Sequence, residues 1–206
     1  MACHMARTPK VVEDRREQLI DAAMRVFAQK GFTRATNKDI AREAGITPGL
    51  IYHYFENKEA LLKSVMEERS PLKVFRALPS HVMALPPEAF LRLLVKQVLS
   101  VVEGEQFVQL IRVFVPEVIH NPEMALMALP IFQRVLSFLE DYWRAKMESR
   151  ELRQTDPALP PQVLLSCIMG FVLRRQIVHD PSASQYTHEQ IADAIIDTML
   201  KGLLPR

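Results

Sequence analysis

The chain of 206 residues has only 6 glycines and 2 cysteines. Scarce glycine beside 14 prolines argues against a turn-rich β fold and for helices with proline-punctuated joints. The cysteines give no disulfide framework, which fits a reducing cytoplasm. Cys167 reads as a small buried hydrophobe. Cys3 falls in Met1–His4, which looks like a cloning remnant. No apolar run is long enough and free enough of charge to span a bilayer, and no signal peptide is legible. Neither sign of charge dominates: 26 basic against 24 acidic side chains leave +2. Residues 1–60 hold ten basic and eight acidic residues, so the whole excess of two lies there. Any nucleic-acid binding must rest on placed residues and not on a strong basic field.

The sequence also lacks the marks of an enzyme. Its six histidines form no HExxH pair, and no Cys/His cluster has zinc spacing. There is no phosphate-cradling glycine loop and no Ser-centred nucleophile elbow. Pairs such as Glu67-Glu68 read as a solvated face. No catalytic residue, metal or cofactor is expected.

Apolar residues make up 49% of the chain, and their spacing predicts helices throughout with no convincing strand. The predicted fold class is all-α, with helices over 13–30, 37–44, 48–55, 58–75, 87–103, 105–120, 122–152, 161–178 and 188–203. Pro71 is expected to kink or end the fourth helix, Pro116 to bend or restart the sixth, and Pro130 to break the seventh. The 105–120 helix is apolar around most of its circumference and is expected to be interior. Two domains are expected: residues 1–70 and 71–206.

The stretch from Thr36 to Lys58 is the most informative. Thr36 suits an N-cap, and Ile40, Ala41 and Ala44 follow on one face. Gly45 supplies the freedom for a sharp reversal. Thr47 caps again, Pro48 takes the first helical position, and Ile51 and Phe55 sit four apart. Two short helices around such a turn make a helix-turn-helix, whose second helix enters the DNA major groove. Thr47, Pro48 and Gly49 keep the start of that helix small. Tyr52, His53 and Tyr54 offer donors, although Tyr54 can also pack on the first helix. Lys58 opposes the dipole of its own helix, which makes sense if it faces a phosphate.

Residues 15–65 resemble the N-terminal domain of the TetR family of transcriptional repressors. The likeness rests on AQKGF at Ala28–Phe32, on T–x3–IA–x2–AGI from Thr36 to Ile46, and on TPGLIYHYFENKEAL from Thr47 to Leu61. By that resemblance the DNA-contacting positions are Thr36, Asn37, Lys38, Thr47, Pro48, Gly49, Tyr52, His53, Tyr54 and Lys58. Pro48 departs from the hydroxyl or amide residue of many relatives and removes a base-reading side chain.

The last two helices carry apolar residues on two faces, and Ser166 and Gly170 sit four apart. Either they pack within one subunit, or they form a two-fold four-helix interface, which is also the family's dimer device. Polar residues within apolar helices, Arg174 among them, are either local surface pairs or anchors for a ligand. Phe90, Leu94, Phe107, Ile111, Phe114, Leu139 and Trp143 are candidate walls, though such residues are mostly core. The resemblance implies an effector pocket in the second domain. The sequence thus points to a homodimeric cytoplasmic repressor that binds palindromic double-stranded operator DNA and is released by a small, mostly apolar effector. An activator, a DNA binder without effector and a small-molecule carrier are the alternatives.

Overall fold

The structure is a computed structural model that describes residues 9–203, with side chains from Asp14 to Lys201 apart from Lys73 and Ser80. The expected cloning remnant lies outside the described residues. Most of the described residues are helical, and among them there is no strand. No described helix is long and apolar enough to cross a membrane.

The helices run α1 (Pro9–Lys30), α2 (Asn37–Glu43), α3 (Pro48–Tyr54), α4 (Lys58–Arg69), α5 (Leu72–Arg76), α6 (Ser80–Met83), α7 (Pro87–Val102) and α8 (Glu105–His120). A 3-10 turn (Pro122–Met124) leads into α9 (Ala125–Glu148). Then come α10 (Leu159–Val172), a π-helical turn (Leu173–Ile177), α11 (Pro181–Ser184) and α12 (His188–Leu203). Pro71 ends α4, as its ring and missing N–H require. Pro116 and Pro130, expected to interrupt, lie inside continuous helices. Both are exposed, where water can replace the helix bond that proline cannot make.

By contact the chain divides into two units: residues up to Arg69 with Gln109–Met127, and Ser70–Val108 with Ala128 onward. Residues 109–127, which the sequence assigned to the second part, group with the first. In that unit Leu19, Ala23, Val26 and Phe27 of α1 form the predicted buried stripe. They share a core with Ile40 and Ala41 of α2, Ile51 of α3, Phe55, and Leu61, Leu62 and Val65 of α4. Arg69, itself buried, closes α4 onto α1 by donating to Glu17 (2.5 Å) and Asp21 (2.6 Å). The end of α8 is not interior as expected: Ile119 is 71% exposed and Val115 is exposed as well.

In the second unit Phe90, Leu91, Leu94, Val95, Val98, Leu99 and Val102 line the buried face of α7. α12 packs along α7, tied by Arg92 to Asp193 and Asp197. Glu103 at the end of α7 faces Arg175 of the π turn (3.2 Å) and His188 at the start of α12 (2.7 Å). Cys167 is free and half-buried, less enclosed than its apolar run suggested.

Candidate nucleic-acid interface

The first unit builds its helix-turn-helix from local rules. Thr36 forms a reciprocal cap: its hydroxyl accepts from the Asp39 amide (3.2 Å), and its own amide donates to the Asp39 carboxylate (3.2 Å). Lys30 pairs with Asp39 at 2.7 Å. Those bonds, Lys30's first and Thr36's next, hold the Asp39 carboxyl down at about 2. Gly45 reverses the chain at φ +63°, with its amide on Arg42 O (3.2 Å) and the Ile46 amide on Ala41 O (2.9 Å). Gln18 of α1 donates to Ala44 O at 2.8 Å and pins the turn to the domain.

α3 then presents one face outward. Ile51 and Phe55 are buried, while Thr47, Pro48, Gly49, Tyr52 and His53 are exposed, Tyr52 by 60%. Thr47 holds the N-cap position but makes no side-chain cap bond, contrary to the capping expected of it. Tyr54 is half-buried with its ring edge-on to His53 at 5.3 Å. Of the other predicted contacts, Lys38 is exposed and Thr36 is engaged in its cap. Asn37 is half-buried, and its Oδ1 is buried without a partner among the described residues.

Lys58 has a second reason for opposing its helix dipole. Its ammonium donates to the carbonyls of Phe32 (2.8 Å), Ala35 (3.0 Å) and Thr33 (3.4 Å), and lies 4.4 Å from the Phe32 ring centre. Three donors meet three acceptors, so in this conformation Lys58 locks the turn after α1.

The expected ligand residues divide. Phe90, Leu94, Phe107, Leu139 and Trp143 are all buried in the second unit, whereas Ile111 and Phe114 are half-buried in the first. Phe90 stacks on Tyr142 at 4.0 Å, bringing α7 and α9 together beside Trp143. Arg174 does not fit the anchor role: it is exposed and donates to Asp180 (2.7 Å) and Ser182 (2.9 Å), because α11 begins within its reach. Two residues escaped sequence reasoning. Tyr142 sits on the same buried stripe as Trp143, which the helical period could have shown. Glu117, which binds Thr33, left no local signal because the two are 84 positions apart.

Residues 19–65 match the family described as bacterial regulatory proteins, tetR family. Residues 89–202 match the C-terminal domain of AefR-like transcriptional repressors. The chain is 24% identical over 192 residues to the HTH-type transcriptional regulator UidR of Escherichia coli K12, covering 92% of each protein. It is 48% identical over 54 residues to the regulator HbdR of an Aromatoleum strain, a match covering 26% of this chain and 24% of HbdR. Among solved structures, a TetR-family regulator from Mesorhizobium loti superposes with a TM-score of 0.76 at 19% identity, covering 97% of this chain and all of that one (100%). FadR from Bacillus subtilis, solved in complex with stearoyl-CoA, gives 0.70 at 22% identity, with 90% and 98% covered. These two likenesses concern the fold. The matched families and relatives are regulators and not enzymes, and this chain belongs to the TetR family as a DNA-binding transcriptional regulator.

Proposed function

We propose that the protein is a cytoplasmic, homodimeric repressor that binds a palindromic operator and lets go when a small, mostly apolar effector occupies its second domain. The observation that carries the reading is the outward face of α3. Thr47, Tyr52 and His53 are exposed on a helix whose other face, through Ile51, is anchored in the core. That is how a recognition helix is offered to a groove. Thr36, Asn37, Lys38, Pro48, Gly49 and Tyr54 flank it as further contacts.

Dimer formation is supported by a second face. Leu159, Val163, Ser166, Gly170, Leu173 and Ile177 fall four, three, four, three and four apart, and all are exposed. A Cβ at Gly170 would meet nothing within 4 Å. An apolar helical seam with small residues at its centre suits close approach by the same helix of a second copy. AefR-like repressors supply the precedent for repression, and the FadR complex with stearoyl-CoA for a ligand bearing a long acyl chain on this fold.

The test is binding of the purified protein to DNA flanking its own gene, with and without extracts of candidate small molecules. Sequence-selective binding that weakens on ligand addition is expected. Binding unaffected by any ligand would favour a DNA binder without effector. Ligand binding without DNA binding would favour a carrier.

A further inference from the structure

The buried stripe of α9 runs through Ile131, Val135, Leu139, Tyr142, Trp143 and Met147. Two of these carry polar atoms, the Tyr142 hydroxyl and the Trp143 indole N–H. Both residues are more than nine-tenths buried, at 3% and 0% exposure, and neither polar atom has a hydrogen-bond partner among the described residues. A buried unpaired donor is costly, and a phenylalanine at either position would avoid the cost. Aromatic contacts hold both rings. Phe90 lies on Tyr142 at 4.0 Å and 26°, and the indole meets Tyr142 edge-on at 5.8 Å and 81°. Two buried, unpaired donors on successive residues suit a partner that arrives from outside the chain.

We infer that Tyr142 and Trp143 are the polar anchors of a site for a neutral, largely apolar compound bearing a hydrogen-bond acceptor, such as a ketone, ester or lactone carbonyl; this rests on the effector reading above and names the effector's class. The indole can only donate. The phenol remains protonated, because burial first and the charge of Glu151 second push its pKa well up. Charge excludes an anionic anchor group. Lys146, 5.8 Å from the Tyr142 ring, is already paired with Glu151 at 2.9 and 3.1 Å. A carboxylate would lose its hydration and meet the field of Glu151, with Lys146 already engaged. Phe90, stacked on Tyr142, and Leu139, one turn before Trp143 on the same stripe, supply apolar surface.

The test compares acetophenone with ethylbenzene, which replaces the carbonyl by a methylene, and with benzoate, by calorimetry on the full-length protein. Saturable quenching of the single tryptophan locates the bound probe. Acetophenone should bind about tenfold more tightly than ethylbenzene, the effect of one well-placed hydrogen bond, and benzoate should bind weakest. In Tyr142→Phe the carbonyl preference should shrink several-fold, while the unfolding temperature without ligand stays the same or rises. A lower unfolding temperature would mean that the hydroxyl already has a partner, and would overturn the site. Equal affinities, tighter benzoate, no acetophenone binding, or a preference untouched by Tyr142→Phe would overturn it too. Operator affinity is measured separately. Tyr142-dependent binding that leaves operator affinity unchanged would sink the effector reading alone. Operator release by compounds whose binding ignores Tyr142 would sink the site alone.

Discussion

The Thr33 hydroxyl donates to Glu117 Oε2 at 2.7 Å, and the Thr33 amide donates to Oε1 at 3.1 Å. A residue of α8 therefore closes the turn that ends α1. Burial raises the Glu117 carboxyl, but the two Thr33 bonds and the charge of Lys58 outweigh it and hold it below its ordinary value. Gly31 makes the contact possible: it sits at φ +76°, and a Cβ there would come within 3.1 Å of Glu117 Oε1.

Glu117→Ala should therefore lower stability by about 1–2 kcal/mol, since it leaves the Thr33 amide and hydroxyl to water. Gly31→Ala should cost about 1 kcal/mol from its backbone conformation alone, plus whatever the carboxylate loses by moving. Urea unfolding of each variant, and of the double variant, checks this. Additive losses would mean that the glycine and the carboxylate act independently.

Lys58→Met should cost about 1–3 kcal/mol, because three carbonyls lose a charged donor. With its protons engaged inside the domain, the slope of log K against log salt for DNA binding should change by less than one. A slope reduced by a full unit, with stability intact, would restore the phosphate contact that the sequence suggested. Tyr52→Ala should do the opposite of Lys58→Met: full stability and weakened DNA binding.

Val163→Glu or Gly170→Glu should yield a folded monomer by sedimentation, because both positions are exposed in the single chain. Ile195→Glu is a poor probe of the same interface, since Ile195 is only 5% exposed and its substitution should unfold the second unit. A dimer that persists in both α10 variants would place the interface elsewhere.

Acid should weaken the fold through carboxylates held below their ordinary values, Asp39 and Asp180 foremost. Asp39, held by Lys30 and Thr36, and Asp180, held by Ser182 and Arg174, both sit at about 2 against an ordinary 3.8. A folded value below the unfolded one means that their contribution is complete above the unfolded value and is lost as pH falls toward the folded one. Stability should decline between about pH 4 and about pH 2, and the decline should be shallower in Asp39→Asn. An unchanged decline in that variant would remove Asp39 from the cause.

Local chemistry made much of the first unit legible in the sequence. Thr36 caps its helix, Gly45 takes a positive φ, Pro48 opens α3 and Pro71 ends α4, because caps, left-handed turns and proline sterics act over a few residues. Helical period also placed Phe27, Ile51, Phe90 and Trp143 inside. Tertiary structure decided what depends on partners distant in the chain. It gave Lys58 three carbonyls, joined Glu117 to Thr33, engaged Arg174 with Asp180, and left α8's last turns exposed and the Tyr142 and Trp143 donors unpaired. Proline's effect, too, turned on exposure: Pro116 and Pro130 lie within helices at exposed positions, where water can replace the bond that proline cannot make. A side chain's type fixes which bonds it can make, but only the packed chain fixes which groups come within hydrogen-bonding distance.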